Sequence, residues 1–164
     1  MSRIIGIDPG LASTGWGVID CRGNRYIHVE DGTIKTPSDL PMAARLKLLY
    51  AKLNGIITRL SPEQAGVESI FFAKNTATAI PVAHARGVIL LALAASEIQV
   101  GEYPPQMIKQ SIVGIGRAKK EQVQELVLVL LGRKEKPMSD HAADALAAAI
   151  CHYNSTALSR RLGS

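Results

Sequence analysis

The sequence has 164 residues, of which 47% are hydrophobic and 20% charged, a composition typical of one globular domain with a sizeable core. The net charge of +5 favours an anionic partner, although basicity this moderate does not by itself indicate nucleic acid. The longest apolar run, residues 88–95, is too short to cross a bilayer. Because the start also lacks an apolar signal segment, we expect a cytoplasmic protein without a membrane anchor.

The chain opens with the run RIIGIDPG at residues 3–10, which predicts a short buried strand ending at Asp8 in a Pro-Gly turn. Two further strands, at residues 13–20 and 26–36, are joined by short turns and predict an antiparallel meander. Gly15 and Gly17 stand inside the second strand, where glycine is unfavourable. Their presence indicates either that another backbone approaches this strand closely or that the strand has a face of small residues.

A long amphipathic helix is predicted from Met42 to Leu60, and Ser61-Pro62 would end it. The short strand that follows, at residues 65–70, is reached through this helix and should therefore lie parallel to the first strand. It carries Glu68 near its carboxyl end. Asp8 and Glu68 are thus expected at the ends of neighbouring parallel strands.

The second half of the chain is predicted to be mostly helical. An alanine-rich helix over residues 77–97 is apolar nearly all round, so it is either a central core helix or one shared with a second subunit. Ser139 should cap a last helix ending near Tyr153, with residues 155–164 as a flexible tail. The other predicted elements are one strand and two helices, at residues 100–103, 105–112 and 121–131.

This order of elements predicts a single α/β domain over residues 1–154, with a mixed five-stranded sheet flanked by helices. The two cysteines, Cys21 and Cys151, have no spacing typical of metal ligands and are expected to be free thiols.

Four polar side chains are candidates for one metal-binding cluster. Asp8 and Glu68 would come from strand ends, and His141 and Asp144, three residues apart, share one face of the last helix. Each acid alone has a purely structural explanation. Asp8 could form a turn, Glu68 could be a surface residue of its strand, and Asp144 could complement the helix dipole. Together they favour the hard divalent cations Mg²⁺ or Mn²⁺, and two such ions could promote hydrolysis of a phosphodiester.

Several blocks of the sequence, taken in order, resemble the RuvC family of Holliday junction resolvases. The blocks are IIGIDPG at 4–10, TGWG at 14–17, VESIFFAKN at 67–75, ARGV at 85–88, KQSIVGIG at 109–116 and AADALA at 142–147. The resemblance covers residues 3–153 and implies an RNase H-like fold. It also implies a homodimer that makes paired, metal-dependent nicks in four-way DNA junctions during recombination and repair, in partnership with the RuvA–RuvB branch-migration complex.

The resemblance assigns catalysis and metal binding to Asp8, Glu68, His141 and Asp144. The family often has aspartate where this chain has His141, and Asp140 stands just before it. Helical phase favours His141, since it shares the face of Asp144. The alternative, in which Asp140 is the ligand, stays open.

Six residues are expected to contact DNA: Phe71, Lys74, Lys109, Arg117, Lys119 and Lys120. The resemblance favours Phe71 for stacking on an unpaired base at the junction centre. It supports Lys109 and Lys120 most directly among the cations. Lys119 follows a glycine turn at a helix start, where backbone amides can hold a phosphate, and Arg117 would act through diffuse electrostatics.

Two other functions fit parts of the sequence. The run GIDPG could bind a nucleotide phosphate, as in actin-like ATPases and sugar kinases, but those folds need a second phosphate loop and a second domain. A catalytically silent junction-binding protein is the other alternative. The presence of all four expected ligands argues against it.

Overall fold

The structure, a computed structural model, describes residues 1–69, 76–114, 116, 118–134 and 139–162. Its strands are β1 (Ser2–Asp8), β2 (Ser13–Arg22), β3 (Arg25–Lys35), β4 (Gln64–Glu68) and β5 (Gln99–Tyr103). Its helices are α1 (Met42–Leu60), α2 (Thr76–Ala95), α3 (Pro105–Val113), α4 (Lys120–Leu130) and α5 (Asp140–Leu162).

The five strands form one mixed sheet in the order β3-β2-β1-β4-β5. The pairs β1–β2 and β2–β3 are antiparallel, whereas β4 pairs parallel with both β1 and β5. Helices α1 and α2 cover one face of the sheet, and α3, α4 and α5 cover the other. The predicted meander, the parallel fourth strand and the mixed five-stranded sheet flanked by helices are therefore confirmed.

A row of glycines crosses the sheet beneath α5. Its members are register neighbours on four adjacent strands: Gly17, Gly6, Gly66 and Gly101. A methyl group on Gly6 would overlap the backbone carbonyl of Ala145, and one on Gly66 would overlap that of Ala148. The alanines of α5 from Ala142 to Ala149 are buried against this surface. On β2, the expected close backbone approach is confirmed at Gly15, which lies against the carbonyl of His141, whereas Gly17 lies against the side chain of Leu146.

The last helix is longer than the sequence predicted. It continues to Leu162, so the end expected near Tyr153 is wrong, and residues 155–162 are helical. Asn154 explains part of the difference, because its Oδ1 accepts a 2.6 Å hydrogen bond from the Tyr26 hydroxyl and its Nδ2 donates to Ser111 Oγ at 3.3 Å. These contacts hold the helix to the rest of the domain beyond the point where its apolar pattern fades. The separation of residues 1–154 from a flexible tail stays a prediction.

Two further expectations concerned the cysteines and membrane-spanning segments. Cys21 and Cys151 are both buried free thiols, as predicted. Within the described ranges, no helix has the combination of length and apolarity needed to cross a membrane.

The glycine row yields a stability prediction. Gly6→Ala should lower the free energy of unfolding by about 2 kcal/mol or more, because the added methyl would push α5 away from the sheet. Gly55→Ala is the matched control. Gly55 is exposed within α1 and has no neighbour near its Cβ position, so this change should be neutral or stabilising by up to about 1 kcal/mol. Urea unfolding followed by circular dichroism measures both; equal stabilities would contradict the proposed close packing.

Candidate active site

Asp8 and Glu68 lie at the same edge of the sheet. Each is the last residue of its strand, and the two strands are parallel, with Ile7 opposite Val67. Side chains two positions apart on a strand point to the same face. Since Gly6 and Gly66 face α5, Asp8 and Glu68 face it as well. The strand pattern therefore brings two carboxylates together on a rigid support, as the sequence predicted.

The first two turns of α5 bring His141 and Asp144 to this edge. The helix begins after Ser139, whose Oγ accepts a 3.1 Å hydrogen bond from the Ala142 N–H, so the predicted cap is confirmed. Glycine at position 15 of β2 leaves room for the backbone of His141. The His141 Nδ1 lies 2.8 Å from Asp8 Oδ2, which joins helix and strand directly.

The structure separates His141 from its neighbour Asp140. The side chain of Asp140 is 73% exposed, and its carboxylate lies 3.9 Å from the Lys120 ammonium. His141, in contrast, contacts Asp8. The geometry agrees with the helical-phase argument that favoured His141, although its role as a ligand stays a prediction.

Burial and neighbouring negative charges raise the pKa values of Glu68 and Asp144. The pKa of Glu68 is raised to about 8, first by burial and then by the negative charges of Asp8 and Asp144 and a hydrogen bond with Asp8. Burial also raises the pKa of Asp144, while its hydrogen bond with Lys120 acts in the opposite direction. A positive charge placed among these carboxylates would relieve this repulsion.

Lys120 supplies one such charge. Its Nζ lies 3.0 Å from Asp144 Oδ2. Burial lowers the pKa of Lys120, but the hydrogen bond with Asp144 and the charges of Asp144, Asp140 and Asp8 outweigh this effect and raise it. The sequence predicted Lys120 as a DNA contact and did not predict that it binds an acid of the site, because the two residues come from different helices.

Hydrogen bonds and ion pairs join the side chains of the site, and Asp8 is bonded to Glu68 as well as to His141. Asp8 bonds His141 and Asp144 bonds Lys120, and within the described part of the chain no three His, Cys, Asp or Glu side chains form a group that could hold a metal ion. The donor set itself, three carboxylates and one imidazole, fits a hard divalent cation. A cation bound through Asp144 Oδ2 would compete with Lys120 for this oxygen.

A cavity of about 190 Å³ adjoins the acids. Glu68 and Asp144 line it together with Lys109 and Lys120, so two of the expected DNA-binding lysines share a cavity with two of the expected ligands. Lys119 is exposed at the start of α4, and its backbone N–H already donates to Gln122 Oε1 at 3.0 Å. This amide is therefore engaged within the helix cap. The other expected DNA contacts, Phe71, Lys74 and Arg117, lie outside the described residues.

Comparison with known proteins shows that the chain is similar to the members of one protein family. The family model "Crossover junction endodeoxyribonuclease RuvC" matches residues 4–152. A protein of this name from Treponema denticola is 50% identical over 151 residues, which cover 92% of this chain and 85% of the relative. Another, from Halothermothrix orenii, is 47% identical over 161 residues, or 98% of both chains.

A solved structure of a protein with the same family name is closely similar in fold. The structure of Thermus thermophilus RuvC in complex with a Holliday junction substrate superposes with a TM-score of 0.91 at 33% identity and covers 96% of each chain. The expected RNase H-like fold is thereby confirmed.

The raised pKa of Glu68 predicts how stability depends on pH in the absence of metal. The unfolded chain loses the Glu68 proton near the ordinary value of 4.5, whereas the folded protein keeps it until about pH 8, so wild-type stability should fall as the pH rises through this window. Glu68→Gln removes the titration. The variant should match the wild type near pH 4 and be more stable by about 1 kcal/mol or more at pH 8.

Chemical unfolding in EDTA at a series of pH values measures this difference. Glu125→Gln, which changes an exposed acid on α4, is the control and should stay within about 0.5 kcal/mol of the wild type throughout. A Glu68→Gln effect that does not vary with pH would contradict the electrostatic account.

Proposed function

The chain belongs to the RuvC family of crossover junction endodeoxyribonucleases, and we propose that it resolves four-way DNA junctions in homologous recombination and repair. The reaction is the paired, symmetric and metal-dependent hydrolysis of phosphodiester bonds, which leaves ends that a ligase can reseal. The observation that carries this proposal is the meeting of Asp8 and Glu68, from parallel strand ends, with the first turns of α5.

We assign metal binding and catalysis to Asp8, Glu68, His141 and Asp144. Three carboxylates, of which Glu68 and Asp144 have raised pKa values, and one imidazole make a site suited to a divalent cation, and Mg²⁺ is the proposed ion, with Mn²⁺ as a substitute. Two ions in each site would activate the attacking water and stabilise the leaving oxygen of the phosphodiester. The strand ends hold Asp8 and Glu68 rigidly, while α5 sets the position of the other two.

The lysines beside the acids are proposed to hold the DNA backbone. Lys109 and Lys120 line the cavity next to Glu68 and Asp144, where their ammonium groups can bind the phosphates that flank the bond to be cut. Lys120 also bonds Asp144, so it is placed to exchange this carboxylate for a phosphate when metal and DNA bind. Phe71, Lys74, Arg117 and Lys119 remain proposed DNA contacts from the sequence.

A cleavage assay tests the function. The protein is incubated with a synthetic four-way junction, a linear duplex of matching sequence and ATP, each with and without Mg²⁺ or Mn²⁺. We expect symmetric cuts in the junction only, and only with metal. ATP hydrolysis without DNA cleavage, or equal cutting of the linear duplex, would contradict the proposal.

Two variants connect the reaction to the site. Asp8→Asn should still bind the junction but cut it more slowly by over about a hundredfold, since losing a metal ligand should exceed the roughly 10–100-fold effect of an outer-shell partner. Asp140→Asn is the matched control, because this exposed carboxylate is paired with Lys120, whereas Asp8 is paired with His141. Its cleavage rate should stay near that of the wild type; a loss as large as that of Asp8→Asn would transfer the ligand role from His141 to Asp140.

We propose that the active protein is a homodimer joined through α2. Symmetric paired cuts need two active sites related by a twofold axis. The inner face of α2 is buried in the core, but Ile80 is 59% exposed and Leu91 61% exposed. Together with the exposed His84 and Gly87, they follow a spacing of four, three and four residues, which forms one stripe along the helix. A second copy of the chain would cover this apolar stripe.

Leu91→Glu should break the dimer. A buried charge on each side of the interface would leave mainly monomers at concentrations where the wild type sediments as a dimer. Val129→Glu is the matched control, because Val129 is 70% exposed on α4, away from the α2 stripe. Sedimentation velocity measures both variants. A dimeric Leu91→Glu variant, or dissociation by Val129→Glu alone, would contradict an interface on α2.

Two further assignments complete the proposal. The RuvA–RuvB branch-migration complex is the expected protein partner, on the basis of the family resemblance. The cytoplasm is the proposed location, since the junctions to be resolved arise in chromosomal DNA.

A further inference from the structure

A pair of hydroxyl groups joins the edge of the sheet to the start of α5. Thr33 Oγ1 on β3 lies 2.6 Å from Ser139 Oγ, although the two residues are 106 positions apart. Ser139 caps the helix by accepting the Ala142 N–H at 3.1 Å. Since a hydroxyl can donate one hydrogen bond while it accepts others, Ser139 can bind Thr33 and cap the helix at the same time.

Thr33 belongs to the surface on which the first turn of α5 rests. It is the register partner of Gly15 on β2, so the two residues lie side by side and face the same way. A side chain on Gly15 would overlap the carbonyl of His141. Gly15 therefore admits the backbone of this turn, and the Thr33 hydroxyl binds its capping residue.

The turn held in this way carries the helical half of the acidic site. His141 follows Ser139 by two residues, and its Nδ1 reaches Asp8 Oδ2 at 2.8 Å. Asp144 lies one turn further along the same helix. A shift of the first turn would therefore move both residues relative to the strand ends that bear Asp8 and Glu68.

The connection before α5 is also attached to β3. The Arg133 Nη1 donates a 2.7 Å hydrogen bond to Asp31 Oδ2, and Asp31 is buried two positions before Thr33 on the strand. Strand β3 thus contacts Arg133, which follows α4, and Ser139, which precedes α5.

We propose that Thr33 is a positioning residue for the metal site: through Ser139 it fixes the first turn of α5, and with it His141 and Asp144, against Asp8 and Glu68. The proposal rests on the function assigned above. Thr33 acts through Ser139 and is not assigned any contact with substrate or metal. Because small displacements of metal ligands weaken both metal binding and catalysis, removal of its hydroxyl should affect both.

Three variants separate positioning from general stability. Thr33→Val removes the hydroxyl while keeping the size and branching of the side chain, and Thr33→Ser keeps the hydroxyl. Tyr26→Phe is the control, because the Tyr26 hydroxyl also bonds α5 from β3, at 2.6 Å from Asn154 Oδ1. Asn154 is 13 residues beyond His141, or about 20 Å along the helix. The control thus removes a tether of the same helix far from the site.

Each variant is measured in three ways. Mn²⁺ affinity is determined by electron paramagnetic resonance without DNA, junction affinity by binding in Ca²⁺, and single-turnover cleavage at a series of Mg²⁺ concentrations. We expect Thr33→Val to weaken Mn²⁺ binding and slow cleavage by about tenfold or more, with junction affinity within about twofold of the wild type. Thr33→Ser should restore both properties, and Tyr26→Phe should leave both near the wild-type values.

Three results would overturn the positioning role: unchanged Mn²⁺ affinity in Thr33→Val, a Thr33→Ser variant as impaired as Thr33→Val, or an equal loss in Tyr26→Phe. Failure of the wild type to cut junctions would instead contradict the proposed function. The comparison of Mn²⁺ affinities would still decide the role of Thr33 in that case.

Discussion

Helix α5 lies with its backbone against the sheet because the strands beneath it carry glycines, which have no side chain to hold the helix away. At Gly6 and Gly66 even a methyl group would overlap a carbonyl of the helix, and the helix meets this surface with its own alanines. Interior packing of this density cannot absorb an added atom without moving a whole element. The contact fixes the height of α5 above the strand ends, and so it sets how near His141 and Asp144 come to Asp8 and Glu68.

The same packing brings the negatively charged side chains of Asp8 and Asp144 close to Glu68. Burial and mutual repulsion raise the pKa of Glu68 to about 8, while Lys120 offsets part of the charge through Asp144. Acids held in this way reduce the stability of the metal-free fold as they ionise, and they favour any cation that enters. The proposed metal site is thus built from interactions that lower the stability of the metal-free fold. Lys109 and Lys120 place positive charge in the cavity that adjoins these acids.

Much of this arrangement could be predicted from local sequence patterns. The apolar run before Asp8 and the helical crossover before Glu68 placed both acids at neighbouring parallel strand ends, and helical phase selected His141 over Asp140. The end of α5 was predicted wrongly because its last turns depend on tertiary contacts such as that between Asn154 and Tyr26. Side-chain pairs between distant elements, such as Thr33 with Ser139, leave no periodic signal in the sequence, so only the folded structure could bring them into view.

Anomalous scattering from crystals grown with Mn²⁺ can show whether α5 and the two strand ends together bind one metal centre, as proposed. We expect a manganese peak at about 2.0–2.2 Å from a carboxylate oxygen of Asp8 and from a ligand atom of His141 or Asp144. A peak bound only by the exposed Asp140, or one that contacts Asp8 without any residue of α5, would contradict it.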